Sequence, residues 1–281
     1  MNLGNSLLIN AENYPRKVAV VVDGVERAYG TLNSRVNRLA NGLTDTGLRK
    51  GDLIGILSFN SVGWIESLYA IFKMGAIAVP INFRLSDKEM LEELKRTGVS
   101  ALFFADEYLP VVTEYQAVCG RDVPAILLGE GRGNGTLSIE RLISGASDDE
   151  PDVEVNGEDV AAVLFTGGTT GLPKGALCTH RMLTWTTINC MTSYETPRTD
   201  HIMLHPFPLF HGSGIFRVIS YISAGATYLT LKSFDAEICL RLIEKHSVTS
   251  FIGSSAIFLP MHEFKAKNPV DTASVTNCIA T

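Results

Sequence analysis

The sequence lacks any uninterrupted apolar run that approaches the roughly 18 residues of a membrane span, so no such span is expected. It also lacks a basic N-terminal segment followed by an apolar core, so no signal peptide is expected. Lysine and arginine form no dense cluster and the net charge is −6, which argues against a nucleic-acid partner. The 5 cysteines are widely spaced and include no Cys-x-x-Cys pair. This pattern favours reduced thiols, which predicts a cytoplasmic protein.

The chain has 281 residues, of which 46% are hydrophobic and 19% charged, as in folded proteins of about two domains. Short apolar segments predict strands, and helical patterns lie between several of them. The predicted strands are residues 53–59, 76–82, 102–105, 125–128, 160–165, 227–231 and 250–253. This alternation predicts an α/β fold with a mostly parallel sheet that is covered on both faces.

Several polar residues stand where helices are expected to begin. Thr31 and the pair Asn60-Ser61 precede helical patterns, and Asp235 precedes the predicted helix 236–246. Ser86 and Glu89 have the spacing of a capping box. We therefore predict that these residues cap helices and bond to the first free backbone N–H groups.

The most informative stretch is residues 164–175, Leu-Phe-Thr-Gly-Gly-Thr-Thr-Gly-Leu-Pro-Lys-Gly, which follows a predicted buried strand. Glycines let the backbone approach a ligand, threonine hydroxyls donate hydrogen bonds, and lysine adds a compact positive charge. The stretch is not a P-loop, because Lys174 is followed by Gly175 and Ala176 and no Ser or Thr is placed to hold magnesium. A mobile hairpin of glycines and threonines is the alternative. The candidate phosphate-binding residues are Thr166, Gly167, Gly168, Thr169, Thr170, Gly171 and Lys174.

These residues resemble the Ser/Thr-Gly-Thr-Thr-Gly-x-Pro-Lys-Gly signature of adenylate-forming (AMP-binding) enzymes. The sequence departs from it at Gly167, where serine is common, so one hydroxyl contact to phosphate is lost. The runs 29–51 and 60–85 are similar to the front half of acyl-CoA synthetases, the fatty-acid–CoA ligase branch. The resemblance implies that the stretch 166–174 holds the phosphates of ATP.

A second segment, residues 206–214, reads Pro-Phe-Pro-Leu-Phe-His-Gly-Ser-Gly. It is similar to the family motif that lines the acyl channel beside ATP, which implies a substrate-lining role for His211 and Gly212. A structural histidine is the alternative, and the prolines argue against shared metal ligation with other histidines, so no metal site is expected. By analogy Gly253 and Ser254 approach the same pocket, although an ordinary strand end explains them equally well. Residues 212–218 contain no acid, unlike the peptide-synthetase branch, which favours a simple carboxylic acid as substrate.

The resemblance also implies the architecture. It predicts the front part of the family's large domain, with two mostly parallel sheets and helices packed between and around them in αβαβα layers. Residues 52–214 would form one subdomain, and residues 1–51 with 215–281 would form the second, incomplete one. The adenylation lysine and the C-terminal domain that carries it would lie beyond Thr281. We therefore expect no catalytic residue in this chain and no acyl-adenylate from the chain alone.

The implied reaction converts a carboxylic acid, of the fatty-acid type, to an acyl-adenylate with Mg²⁺ and ATP and then to a thioester with coenzyme A. An acyl-AMP ligase that loads a carrier protein and a non-catalytic nucleotide-binding module are the alternatives. The resemblance is compatible with a homodimer. The sequence does not define the chain length of the acid or whether it is aromatic.

Overall fold

The computed structural model describes residues 2–129, 137–166, 174–193 and 197–280. In chain order, the elements up to the first glycine-rich segment are α1 (Asn5–Asn13), β1 (Val18–Val22), β2 (Val25–Ala28), α2 (Tyr29–Asp45), β3 (Leu53–Leu57), α3 (Val62–Lys73), β4 (Ile77–Pro80), α4 (Asp87–Thr97), β5 (Ala101–Phe104), α5 (Leu109–Val118) and β6 (Ala125–Leu127). They continue with β7 (Leu137–Ser138), α6 (Ile139–Gly145), β8 (Val160–Thr166), β9 (Lys174–Thr179), α7 (His180–Ser193), β10 (Ile202–Leu204), α8 (Gly212–Ser223), β11 (Thr227–Thr230), α9 (Ala236–His246), β12 (Ser250–Gly253), α10 (Ser255–Lys267) and β13 (Asn277–Ala280).

The chain divides into two compact units. Unit 1 consists of Met1–Leu8, Thr31–Phe59 and Gly63–Thr184, and unit 2 of Ile9–Gly30, Asn60–Val62 and Trp185–Thr281. These bounds assign residues 31–51 to unit 1 and residues 185–214 to unit 2, whereas the expected subdomains placed them the other way. The expected division describes subdomains of the complete family fold, so it stays a prediction.

Unit 1 contains a sheet of 7 strands in the order β7-β6-β5-β3-β4-β8-β9. Every neighbouring pair is parallel except β8 and β9, which are antiparallel. The central strands β3 and β5 are almost entirely apolar and buried, as expected for a parallel sheet that is covered on both sides; Ile54, Ile56 and Phe103 are fully buried. This sheet confirms the predicted α/β class.

Unit 2 contains a sheet of 6 strands in the order β13-β12-β10-β11-β1-β2. Its pairs are parallel except for the hairpin β1–β2, which turns at Asp23 (φ 48°) and Gly24 (φ 79°). Asp and Gly tolerate this left-handed backbone, which explains the turn. The second sheet confirms the predicted pair of mostly parallel sheets.

Two of the predicted helix caps are confirmed and one is wrong. Ser86 and Glu89 form a complete capping box on α4, and Asp235 Oδ1 accepts the N–H of Ile238 at 2.9 Å in α9. Thr31 lies inside α2 rather than at its start. The backbone supplies the reason, since Tyr29 and Gly30 donate their N–H groups to the carbonyls of Lys17 and Pro15, both at 2.9 Å.

In the described ranges, no helix combines the length and the apolar character that crossing a bilayer requires. Helix α10 has no counterpart among the predicted elements. It contains Pro260 and has only two buried side chains, Ile257 and Met261, so its apolar periodicity is weak.

Candidate functional site

The glycine- and threonine-rich stretch joins β8 to β9. The two strands pair from Val160↔Thr179 to Thr166↔Lys174, so the stretch connects the ends of an antiparallel hairpin. Gly167, Gly168, Thr169, Thr170 and Gly171 lie outside the described residues. Lys174 is exposed at the first position of β9. The hairpin thus places Lys174, an exposed residue, beside the candidate phosphate-binding stretch, and the roles of these residues stay predictions.

The other end of this hairpin is anchored by charged and backbone contacts. Lys50 Nζ lies 2.6 Å from Asp159 Oδ2 and donates to the carbonyl of Glu154 at 2.8 Å. A backbone hydrogen bond joins the flanks of the two strands: the N–H of His180, just after β9, donates to the carbonyl of Asp159, just before β8, at 3.0 Å. Hydrogen bonding with Lys50 lowers the pKa of the Asp159 carboxyl. These contacts fix the residues immediately before β8 and after β9.

His180 is fully buried and is a structural histidine. Its Nδ1 accepts the N–H of Leu3 at 3.2 Å, and its ring meets that of Phe72 edge-on with centroids 5.7 Å apart. Burial lowers the pKa of His180 to about 4. The neutral ring therefore ties the N-terminal segment to the start of α7 at neutral pH.

In unit 2, the other candidate residues follow neighbouring strands. Strands β10 and β12 are parallel neighbours, with Met203 opposite Ser250. The segment with His211 and Gly212 follows β10, whereas Gly253 ends β12 and Ser254 comes next. The carboxyl ends of parallel strands meet at one edge of a sheet, which is where open α/β sheets bind ligands. The structure therefore brings both candidate segments to the same edge.

His211 lies exposed at the start of α8. It precedes α8, its side chain is exposed, and its ring lies 4.2 Å from that of Phe210 between centroids. Gly212 is the first residue of α8. Substrate contact by either residue stays a prediction.

Gly253 and Ser254 also have structural roles. A Cβ at Gly253 would lie 3.0 Å from Phe258 Cζ, so glycine allows α10 to pack closely on the strand end. The carbonyl of Ser254 accepts the N–H groups of Ile257 and Phe258, both at 2.9 Å. Their predicted approach to the acyl pocket stays a prediction.

An apolar groove of about 340 Å³ lies beside β12 in unit 2. It is lined mainly by apolar side chains, with His262, Lys265 and Thr272 as its polar members; the apolar ones are Leu240, Ile243, Phe251, Phe258, Met261 and Val275. Phe251 belongs to β12 and Phe258 contacts Gly253, so the groove adjoins the candidate segment. Its lining suits an apolar chain or ring.

The sequence did not reveal a buried polar cluster next to the second segment. His205 is fully buried between the rings of Phe207 and Tyr228, with centroids 5.6 and 5.8 Å away. Within the described part of the chain, neither ring nitrogen of His205 nor the hydroxyl of Tyr228 has a hydrogen-bond partner. Burial lowers the pKa of His205 to about 3, and the nearby charge of Arg217 acts in the same direction. His205 is thus neutral at physiological pH.

Asn60 is a second residue whose position the sequence did not reveal. Its amide Nδ2 donates to the carbonyls of Phe207 (3.0 Å) and Leu231 (2.9 Å) and to Thr230 Oγ1 (2.9 Å). Its Oδ1 accepts the N–H of Leu209 at 2.7 Å. Asn60, predicted to cap α3, therefore bonds to the turn 206–209 that precedes His211.

No three His, Cys, Asp or Glu side chains among the described residues are grouped as metal ligands would be. His201 and His205 are each adjacent to β10, whereas His211 precedes α8. The chemistry that the described residues offer is therefore hydrogen bonding, positive charge at Lys174 and apolar surface.

The family model described as "AMP-binding enzyme" matches residues 8–279. Feruloyl-CoA synthase from Amycolatopsis sp. is 33% identical over 257 residues, which cover 91% of this chain and 49% of that protein. Long-chain-fatty-acid–CoA ligase FadD13 from Mycobacterium tuberculosis is 33% identical over 249 residues, which cover 88% of this chain and 48% of that protein. The chain thus spans about half the length of these curated relatives.

A solved structure shows the same fold. The N-terminal domain of FACL13 from Mycobacterium tuberculosis, determined with a bound inhibitor, superposes with a TM-score of 0.88 at 29% identity. The match covers 99% of this chain and 69% of that one. The two sheets described above are therefore those of a known N-terminal domain fold.

Proposed function

Because this chain belongs to the AMP-binding enzyme family, we propose that the product of its complete reading frame activates a carboxylic acid with ATP and transfers the acyl group to a thiol. The observation that carries the proposal is the family match over residues 8–279, which includes both candidate segments. The named activities of the relatives, feruloyl-CoA synthase and long-chain-fatty-acid–CoA ligase, support the same reaction class.

The proposed reaction has two steps. In the first, a carboxylate oxygen attacks the α-phosphorus of ATP, an acyl-adenylate forms, and pyrophosphate leaves with the bonding electron pair. In the second, the sulfur of coenzyme A attacks the acyl carbonyl, the thiol proton is lost, and AMP leaves. Both steps depend on alignment of the reactants and on stabilisation of phosphate charge, for which no nucleophile from the protein is needed.

Lys174 is the described residue best suited to the phosphates. It is exposed at the start of β9, and its register partner Thr166 ends β8. An ammonium group forms charge-assisted hydrogen bonds with phosphate oxygens. We infer that Lys174, with Thr166, Thr169 and Thr170, holds the leaving pyrophosphate, and that Gly167, Gly168 and Gly171 allow the backbone to approach it. Magnesium, when bound with ATP, would neutralise part of the same charge.

The apolar groove beside β12 supports an acid with an apolar acyl group, of the fatty or aromatic type. Its volume of about 340 Å³ and its lining by Phe251, Phe258 and Met261 suit such a group. In this proposal His211 and Gly212, with Gly253 and Ser254, contact the acid near its carboxylate. Coenzyme A is the proposed acceptor, in the cytoplasm, and a carrier-protein thiol is the alternative.

The test compares the product of the complete reading frame with the 281-residue chain. Pyrophosphate release is measured with fatty acids of several lengths and with hydroxycinnamic and benzoic acids, with and without coenzyme A. We expect acid-dependent pyrophosphate release and CoA-dependent AMP formation from the complete product only. Adenylate that forms without any response to coenzyme A would favour the carrier-protein alternative. An absence of acid-dependent release with every acid would leave a nucleotide-binding module as the better account.

The role of Lys174 has a matched control in the same unit. Lys174→Ala should lower kcat/KM for ATP by about ten-fold to a hundred-fold, the value of a charged hydrogen bond. Lys88 is also exposed, on α4, so Lys88→Ala should leave kcat/KM within about two-fold. Equal effects of the two substitutions would exclude a specific phosphate contact by Lys174.

A further inference from the structure

Asn60 is buried where it can control the position of His211. Only 4% of its surface is exposed; its Nδ2 lies 2.9–3.0 Å from three acceptors and its Oδ1 accepts one N–H, all from residues distant in sequence. We infer that Asn60 is a positioning residue that holds the substrate-contacting turn of unit 2 in place. This inference rests on the proposed function, since it concerns the site for the acid.

The prolines of the turn 206–209 leave it few backbone N–H groups with which to form hydrogen bonds of its own, so residues outside the turn supply the partners. Pro206 and Pro208 have no backbone N–H, so residues 206–209 can donate hydrogen bonds only from Phe207 and Leu209. Asn60 accepts the N–H of Leu209 and donates to the carbonyl of Phe207. One amide therefore satisfies a donor and an acceptor on either side of Pro208.

The same amide ties the turn to the sheet. Thr230 Oγ1 at the end of β11 accepts from Asn60 at 2.9 Å and donates to the carbonyl of His205 at 2.7 Å. Asn60 also donates to the carbonyl of Leu231 at 2.9 Å. The turn is thereby fixed to the carboxyl end of β11, which lies beside β10 at the ligand-binding edge.

Residues 206–209 also fix the position of the first residues of α8. The N–H of His211 donates to the carbonyl of Pro208 at 3.3 Å. A Cβ at Gly214 would lie only 2.7 Å from Leu209 Cα, so the first turn of α8 packs directly on the backbone of residue 209. A displacement of Leu209 must therefore move His211 and the N-terminus of α8.

A second buried asparagine provides a matched control. Asn10 donates from its amide to the carbonyls of Ile222 (2.8 Å) and Ser223 (3.3 Å), at the opposite end of α8. It is 6% exposed and belongs to the same unit as Asn60. Loss of either amide removes buried hydrogen bonds to carbonyls, but only Asn60 bonds to the turn before His211.

The experiment introduces Asn60→Ala, Asn60→Asp and Asn10→Ala into the product of the complete reading frame. Because a misplacement of about 1 Å can cost about a hundred-fold in rate, kcat/KM for the acid should fall by about ten-fold to a hundred-fold in both Asn60 variants. The KM for ATP should stay within about two-fold. Asn10→Ala should lower the melting temperature while its kcat/KM for the acid stays within about three-fold.

A double-mutant cycle with His211→Ala tests whether Asn60 acts through His211. If it does, the effects of Asn60→Ala and His211→Ala on kcat/KM should be strongly non-additive. Full additivity, wild-type kcat/KM in Asn60→Ala, or equal losses in the Asn60 and Asn10 variants would each overturn the inference. A wild-type protein that is inactive with every acid would instead count against the proposed function.

Hydrogen exchange gives a readout that does not depend on activity. The backbone amides of Leu209, Gly214 and Ile215 should exchange faster in Asn60→Ala, whereas those near Ala224 should not. Unchanged exchange at Leu209 would overturn the inference even if the enzyme is inactive. Should Asn60→Ala fail to fold, Thr230→Val removes only one hydroxyl of the network, and the same pattern is expected at smaller amplitude.

Discussion

For a buried ion pair in unit 1, we predict that removal of one partner lowers the free energy of unfolding more than removal of the other. The Nζ of Lys73 lies 2.6–2.7 Å from both carboxylate oxygens of Glu150 and 2.7 Å from the amide oxygens of Asn33 and Asn37. The side chain of Lys73 is 2% exposed, whereas that of Glu150 is 38% exposed. Removal of the carboxylate therefore leaves a buried cation, while removal of the lysine leaves a carboxylate that water can reach.

The magnitudes follow from this difference in exposure. Loss of one partner of a fully buried pair costs about 3–5 kcal/mol. Since Glu150 is partly solvated, we expect Glu150→Gln to cost about 3 kcal/mol, at the low end of that range. Lys73→Met should cost about 1–2 kcal/mol. The amide oxygens of Asn33 and Asn37 each lose the hydrogen bond that Lys73 donates, whereas the methionine side chain fills the space of the lysine methylene groups.

The pH dependence supplies a second test, with the sign set by Lys73. Burial lowers the pKa of Lys73, and the hydrogen bonds that Lys73 donates to Glu150 oppose that effect. Without the carboxylate, the pKa of Lys73 in the folded state should fall further below its unfolded value of about 10.4. The folded variant then binds fewer protons than the unfolded chain, so its stability should rise with pH up to about 10. Lys73→Met cannot show this recovery.

The assay is urea unfolding followed by circular dichroism at pH 7 and pH 10, with unchanged m-values as the condition for comparison. The exposed pair Arg198–Asp200, at 3.0 Å with both side chains 67% exposed, is the control. Arg198→Met should leave the urea midpoint unchanged, because water screens a fully exposed pair. Equal costs for Glu150→Gln and Lys73→Met, or a Glu150→Gln deficit that does not shrink at high pH, would refute the reasoning.

Three further predictions concern individual positions. Gly98 follows α4 at φ 62°, and no atom lies within 4 Å of where a Cβ would be. Gly98→Ala should therefore cost about 1 kcal/mol from backbone strain alone, and Gly98→Asn less. Equal melting temperatures of the two variants would contradict this. Asp235→Ala should cost about 1 kcal/mol through loss of the α9 cap, and unchanged urea midpoints would contradict the role of the Oδ1 contact. His205, with a folded pKa of about 3, destabilises the fold as pH falls from its unfolded pKa towards that value. His205→Phe should therefore keep or raise the melting temperature at pH 7 and weaken its decline between about pH 6.5 and pH 4, and a steeper decline would refute this.

The strands and caps could be predicted because their causes are local. Short apolar segments such as Leu53–Leu57, bounded by polar residues and glycine, are typical of buried parallel strands. The capping box of Ser86 and Glu89 depends on residues three positions apart. The predicted cap at Thr31 was wrong because the N–H groups of Tyr29 and Gly30, at the start of α2, donate to the carbonyls of Lys17 and Pro15. The hydrophobic pattern of a helix does not show such contacts.

The candidate site was predictable only as motifs. The signature around Lys174 and the segment before His211 pointed to the family. The first follows a predicted strand, whereas β10, the strand before the His211 segment, was not predicted. The position of His205 was not predictable. A histidine that follows Met203-Leu204 and precedes Pro206 gives no sign that both ring nitrogens lack partners in the described part of the chain.

Asn60 shows what a sequence argument could still add. Its partners lie 147–171 residues away, far outside the range of helical or strand periodicity. Yet Pro206 and Pro208 remove two of the N–H donors from a turn whose Leu209 is fully buried. The remaining buried N–H and C=O groups must bond to something, and in a parallel sheet the end of a neighbouring strand or a polar side chain is the nearest source. A buried Pro-x-Pro turn therefore predicts hydrogen-bond partners from outside the turn, and here Asn60 supplies them.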